Sequence, residues 1–203
     1  MQIKTIQNIN ITALFSTPLN HLLISQAGLL NLFKTNDQQK DQHTFIEAPG
    51  LKIFMLPNQK KEIIFEAVRM LVNNKQETKP ETSDIIDDFL KIMDSNVVEK
   101  NKMSAYGFNY DVIVEPESGQ FKIGDLIGAK VTKIENIKSA GVSVVFEQKG
   151  INYNLEIKPI GIGQQFLAHF NAHFNVNTLP SKQELKDRLI AQFDNLKDIM
   201  EKI

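Results

Sequence analysis

Residues 45–72, FIEAPGLKIFMLPNQKKEIIFEAVRMLV, decide the fold class. Two apolar runs, 45–56 and 61–72, flank Pro57-Asn58-Gln59-Lys60, and such runs around a short polar turn read as an antiparallel hairpin. The second run is apolar on both alternating faces, with Ile63, Phe65, Ala67 and Leu71 on one and Ile64, Val68, Met70 and Val72 on the other. A strand of that kind belongs in the middle of a sheet covered on both sides, at least locally.

Upstream, residues 8–15 alternate, with Ile9, Ile11, Ala13 and Phe15 against Asn8, Asn10 and Thr12, as a half-buried strand does. Asn20 is a candidate cap for a helix carrying Leu22, Leu23, Leu29, Leu30 and Phe33, softened near Gly28, and TNDQQKDQH (35–43) reads as a loop. Downstream, NNKQETKPETS (73–83) is a polar connector without core residues. It ends at Ser83, which caps a helix whose Ile85, Ile86, Phe89, Leu90 and Met93 form one apolar stripe.

Residues 104–115 form the clearest strand, with Tyr106, Phe108, Tyr110, Val112 and Val114 on one face and Gly107, Asn109, Asp111 and Glu115 on the other. After a turn at 115–119, a strand near 129–137 and the alternating runs 142–147 and 151–158 predict a β-meander over 121–159, with Lys149-Gly150 as a tight turn. Residues 163–203 read as C-terminal helices. The last opens with a Ser181/Glu184 capping box and carries Leu185, Leu189, Phe193, Leu196, Met200 and Ile203 at helical spacing. Strands joined by hairpins need no crossover helices. The expected fold is therefore α+β: one domain over 1–203, a mainly antiparallel sheet of about six to seven strands, helices packed on one face and a long C-terminal helix. A parallel dinucleotide-binding architecture is disfavoured.

Composition narrows the chemistry. Hydrophobic residues at 42% and charged residues at 23% are ordinary globular usage, which argues against disorder. A net charge of −1 offers no overall attraction to nucleic acid or anionic lipid. The absence of cysteine excludes disulfides, thiolate nucleophiles and cysteine-ligated metal sites. No stretch approaches the roughly 20 apolar residues that span a bilayer, and the first residues lack a signal-peptide core, so the cytoplasm is the expected location. Abundant Asn, Lys, Gln and Ile fit an AT-rich bacterial or phage genome.

Within FLAHFNAHF (166–174), His169 and His173 stand four apart, which on a helix puts two imidazoles on one face and makes them the candidate metal ligands. Phe170 occupies the place of the glutamate in H-E-x-x-H. On the helical wheel the histidines border a core stripe of Phe166, Leu167, Phe170 and Phe174, the ordinary position for structural histidines. Asp84, Asp87 and Asp88 read as first-turn carboxylates that complement a helix dipole. Asp111 and Glu115 lie on the wet side of their strand with Glu117 just beyond it, an acid-base patch only if folding adds a partner. Gly161-Ile162-Gly163 lacks the phosphate-loop and dinucleotide patterns and reads as a turn.

The run Phe121-Lys122-Ile123-Gly124-Asp125-Leu126-Ile127-Gly128-Ala129-Lys130-Val131-Thr132-Lys133-Ile134 resembles the opening of an S1-type RNA-binding barrel, where Gly-Asp and a later Lys-Val begin the first strand. The resemblance implies single-stranded nucleic-acid binding on the 121–157 surface, with Phe121, Phe146 and Tyr153 as stacking aromatics. The meander that follows lacks the glycine-aromatic pattern of such a barrel. No catalytic residue and no cofactor is assigned. The expected function is a non-enzymatic binding or interaction protein, with a protein partner or a homodimer in which Leu185, Leu189, Phe193, Leu196 and Met200 serve as an interaction stripe. The alternatives are a metal-dependent hydrolase using His169 and His173 with a carboxylate brought near by folding, and the nucleic-acid binder.

Overall fold

Short turns join most neighbouring strands. The computed structural model describes residues 1–116, 140–161, 165–176 and 178–203. The described strands are β1 (Gln2–Phe15), β2 (Thr44–Ala48), β3 (Leu51–Leu56), β4 (Lys61–Glu66), β5 (Arg69–Asn74), β6 (Met103–Glu115), β7 (Val142–Gln148), β8 (Ile151–Ile160) and β9 (Gln165–Asn175). They form one nine-stranded sheet in the order β2-β3-β4-β5-β1-β6-β9-β8-β7, with every neighbouring pair antiparallel. Helices α1 (Gln26–Phe33), α2 (Ile85–Met93) and α3 (Lys182–Lys202) complete the α+β architecture. No described helix is long and apolar enough to cross a membrane.

The described sheet has nine strands rather than six to seven because the apparent hairpin at 45–72 is four strands and residues 165–175 add a strand where a helix is expected. Pro49-Gly50, with Gly50 at φ 70°, turns the chain between β2 and β3, and Ala67-Val68 turns it between β4 and β5. Ala67 and Val68 are not turn residues by composition, so the second reversal is hidden inside an apolar run. β1 is longer than its alternating part: it reaches back to Gln2 across register shifts against β6 at Ile3/Thr5 and Ile6/Asn8. The first helix starts later than Asn20, at Ser25, whose hydroxyl accepts from the Gly28 amide at 3.1 Å. Gly28 therefore sits inside a capped first turn and breaks nothing. The expected strand near 129–137 and the opening of the meander lie outside the described residues.

The largest correction concerns 165–175, which is β9 and not a helix. Phe166, Phe170 and Phe174 fit helical spacing, but Ala168 and Ala172 complete a period of two, and all five face the core. The central position decides it: β9 pairs with β6 on one side and β8 on the other, which outweighs weak local propensity. Alternating Phe with Ala also makes room for neighbouring rings. Tyr153 stacks on Phe170 with centroids 5.5 Å apart, and Phe174 stacks on Tyr106 at 5.0 Å.

The described helices lie over this apolar face. Phe33 of α1 meets Phe54 of β3 at 6.0 Å. α2 packs on β1 and β5, and α3 packs on β1 and β6. Tyrosines fix the position of α3. Tyr110 donates to the Leu189 carbonyl at 2.5 Å, Tyr153 donates to Gln192 Oε1 at 3.0 Å, and Arg188 donates to the Tyr106 oxygen at 2.6 Å. Burial pushes the Tyr110 phenol well above its ordinary value, so it remains a donor. The Ser181/Glu184 capping box is present at the start of α3.

A charged cluster around Lys61 interrupts the apolar face. The Lys61 ammonium on β4 lies 2.6 Å from Asp88 and 2.5 Å from Asp84, while Asn74 of β5 donates to Asp84 at 3.0 Å. The Lys61 and Asp88 side chains are 6% and 3% exposed. Burial alone would lower Lys61, but its bonds to the two carboxylates outweigh that and hold it above its ordinary value. Burial pushes Asp88 up, with Lys61 pulling partway back. The proton stays on Lys61, which faces two carboxylates, one of them half-exposed. Asp88 is thus more than a first-turn charge meeting a helix dipole: it is the counter-ion of a buried lysine.

Candidate interaction surface

Every side chain of β1, β6 and β9 that points away from the helices lies on a face over which no described helix packs, and antiparallel register sorts that face into rows. The central row is made of asparagines: Asn73 of β5, Asn10 of β1, Asn109 of β6, Asn171 of β9 and Asn154 of β8 stand directly opposite one another on five adjacent strands. The amides of four of them bond in one direction, while the buried Asn154 Oδ1 takes no hydrogen bond among the described residues. Asn171 donates to Asn109 at 2.6 Å, Asn109 to Asn10 at 2.6 Å and Asn10 to Asn73 at 2.8 Å. Asn73 donates in turn to the Glu62 carboxylate at 3.3 Å, which Lys75 holds at 3.0 Å. Identical amides in register across strands stabilise a sheet by this ladder, and each bond polarises the next.

The flanking row carries the charges. Asn8, Asp111, His169, Glu156 and Ser143 are in register across β1, β6, β9, β8 and β7. His169 Nδ1 donates to Asp111 Oδ1 at 2.6 Å, and Asn8 donates to Asp111 Oδ2 at 3.1 Å. The hydrogen bond to Asp111 raises the His169 imidazole above its ordinary value against the opposing effect of burial, with Glu156 adding to the rise. Burial would raise Asp111, but the bonds from His169 and Asn8 win and hold its carboxyl below the usual range. Glu156 also pairs with Lys158 at 2.5 Å.

On the other side of the amides the row changes chemistry partway across. Ile46, Ile53, Ile64 and Leu71 run over β2 to β5, followed by Thr12, Gly107, His173, Asn152 and Glu147 over β1, β6, β9, β8 and β7. Ile46 is 44% exposed. The residue at 107 must be small: a Cβ there would lie 3.1 Å from the Ala172 carbonyl oxygen and 3.2 Å from Asn171 Nδ2, displacing the amide row.

The structure distributes the candidate residues differently from the sequence reading. His169 and His173 share a face, but four residues along a strand separates them by about 13 Å, so one ion does not reach both. His169 bonds to Asp111 and His173 to Asn175. Folding does bring a carboxylate to His169, as the hydrolase alternative requires, while removing His173 from that pair. Among the described residues, no three His, Asp or Glu side chains are placed to hold a metal. Leu185, Leu189, Phe193, Leu196 and Met200 are buried in the chain's own core, where the fold uses the apolar stripe of α3.

Phe146 stacks on Tyr153 at 5.0 Å on the helix side, and Tyr153 is 4% exposed, which withholds it from base stacking; Phe121 and Glu117 lie outside the described residues. Gly161 turns the chain at φ 61°, with Ile162 and Gly163 outside the described residues. Glu115 accepts from Gln165 at 2.9 Å. An open cleft of about 710 Å³ lies between β1, residues 77–81 and the C-terminal half of α3. Of its charged lining residues, Lys4, Lys197 and Glu77 are engaged by Glu115, Asp194 and Lys60.

The asparagine row escaped the sequence reading because it is a property of register. Asn8, Asn10, Asn109 and Asn154 were visible as the polar sides of separate strands. Asn171 was hidden by the helical reading, and Asn73 by its place in the polar connector. No protein-family model matches this chain, and no curated protein matches it.

Proposed function

We propose that this chain is a cytoplasmic, non-enzymatic binding protein that docks a polypeptide partner on the open face of its sheet. The observation that supports it is the aliphatic row Ile46, Ile53, Ile64 and Leu71, which sits on the face away from the described helices. β4 turns Ile63 and Phe65 to the helices and Ile64, between Glu62 and Glu66, to the open face, so the apolar character of that face runs across the strands and not along β4. A contiguous apolar strip bordered by polar groups is the signature of a protein contact. The neighbouring charges favour a polypeptide over nucleic acid or lipid headgroups. Glu62 is held by Lys75, Glu66 by Arg69, Asp111 by His169 and Glu156 by Lys158, so these carboxylates carry counter-ions beside the aliphatic groups and neutral amides. Hydrophobic contact over β2 to β5 then supplies affinity, and the ordered amides supply orientation.

Ile64→Lys tests this reading, because it places a charge in the strip without touching the helix side. Affinity capture from the native cells is to be run with the wild type, with Ile64→Lys and with Glu81→Lys, which lies by the cleft. A partner held by the wild type and by Glu81→Lys but lost from Ile64→Lys by tenfold or more supports the open face. Equal recovery on all three baits overturns it.

A further inference from the structure

The turn between β1 and α1 carries an apolar tip that the core does not use. Leu22 is 92% exposed and Leu23 is 47% exposed. Hydrogen bonds hold them there. The Leu22 amide donates to the Asn20 side chain at 3.2 Å, the Leu23 amide to the Asn20 carbonyl at 3.0 Å and the Ile24 amide to the His21 carbonyl at 3.3 Å. On either side Leu19 and Ile24 are buried, and the Leu19 amide donates to the Ala67 carbonyl at 2.7 Å. Two leucines are therefore presented on a fixed turn, where polar residues are usual. Pro116 and Ala140, which bound the stretch outside the described residues, stand at the other end of the strands. Glu115 pairs with Gln2 and Val142 shares the row of Val112, whereas Phe15 pairs with Met103 beside the tip, and β6 between these ends is 13 residues, about 40 Å.

Next to the tip, Phe15, Pro18, Leu19, Leu23, Val97 and Val98 line a shallow hollow. Ser16 fixes the two walls to each other, since its amide donates to the Lys102 carbonyl at 2.8 Å. Glu99 and Lys102 line the same hollow, and among the described residues neither side chain forms an ion pair, whereas Lys100 between them is bonded to Asp94 at 2.9 Å. One patch thus holds an apolar projection, an apolar depression and two unpaired charges of opposite sign.

We propose that this patch binds the same patch of a second copy about a two-fold axis, with Leu22 of each copy over the hollow of the other and Glu99 of each facing Lys102 of the other. A two-fold contact must be complementary to itself, and a projection beside a depression meets that condition. The charges meet it too. A half-turn about an axis between Glu99 and Lys102 exchanges them, so each finds its opposite in the other copy. The hollow encloses only about 10 Å³, so the leucine covers it rather than entering it. Contacts of this small size belong to transient association, and the dimer is expected to form and separate within the micromolar to millimolar range. The inference goes beyond the open-face reading and does not rest on it: Ile64→Lys is expected to leave this dimer intact.

Light scattering from about 10 μM to about 1 mM measures the assembly. The wild type is expected to move from the monomer mass towards twice that mass across this range. Leu22→Asp is expected to stay at the monomer mass throughout, with an unchanged thermal melt because the side chain it replaces is exposed. Charge reversal tests the axis. Glu99→Lys alone sets like charges against each other and is expected to weaken the dimer about tenfold, and Lys102→Glu alone does the same. Mixed in equal amounts, the two variants offer unlike charges at both contacts and are expected to associate as tightly as the wild type. A wild type still at the monomer mass at about 1 mM overturns the proposal. So does a dimer indifferent to Leu22→Asp, or a mixture of the charge variants that associates no better than either variant by itself.

Discussion

The two faces of β1 exclude water by opposite means. Toward the helices, Ile9, Ile11 and Ala13 are enclosed by the shapes of other side chains. On the far side Asn10 is 4% exposed although no described helix lies over it, because Asn73 and Asn109 close on it from the neighbouring strands. A slip of one residue is forbidden by both faces, but a slip of two would keep Ile9, Ile11 and Ala13 toward the helices while pulling Asn10 out of line with Asn73 and Asn109. The amide face therefore specifies the alignment of β5, β1, β6 and β9, and the apolar face supplies most of the stability.

The sharpest way to break the contrast is on the helix face, at the buried pair of Lys61 with Asp88. Asp88→Ala leaves the Lys61 ammonium with only the half-exposed Asp84, and stripping one partner from a buried pair costs about 3–5 kcal/mol. Replacing both residues, Lys61→Met with Asp88→Leu, is expected to recover most or all of that loss, since the desolvation cost leaves with the charges. Urea denaturation of the two variants measures it. A single variant as stable as the wild type would show that Lys61 finds water or another carboxylate.

A smaller loss is expected on the open face. Asn10→Ala removes the acceptor of Asn109 and the donor to Asn73, leaving buried amide groups unpaired at a cost of about 1–3 kcal/mol. Asn73→Ala lies in the same chain of bonds, so the double variant should cost clearly less than the sum. Strict additivity in a double-mutant cycle would mean that the amides act as separate pairs, and the specifying role of the row would fall with it.

Legibility followed the same division. The apolar face was readable wherever alternation was uninterrupted, as in 104–115 and 142–158, and the capping box placed α3 from four residues. Where one segment satisfied two periods, as FLAHFNAHF does, its neighbours in the sheet decided, and no local pattern records neighbours. The turn at Ala67-Val68 was invisible because its residues are apolar. Lys61 with Asp88, and the five asparagines, are contacts between strands or between strand and helix, so the residue types were plain and their meeting was not. Of the candidate site, the sequence held the polar sides of the strands but not their alignment.

The smallest effect expected is the titration of the open face, and its sign separates the two partners. His169 is raised, so its contribution is full below its ordinary value of 6.5 and fades as pH rises through the higher folded value. Asp111 is lowered, so its contribution is full above its ordinary value of 3.8 and is lost as pH falls through the lower folded value. The pair therefore stabilises most between about 4 and 6.5, and weakens toward alkaline pH as the imidazole loses its proton. The imidazole is 37% exposed, and solvent screening keeps the gain small. His169→Gln should flatten the difference between melts at pH 6 and pH 8.5 while leaving the helix face untouched. An imidazole proton resonance that titrates below 6.5 would show that Asp111 does not hold the ring charged, and the flanking row would then be neutral like the amides beside it.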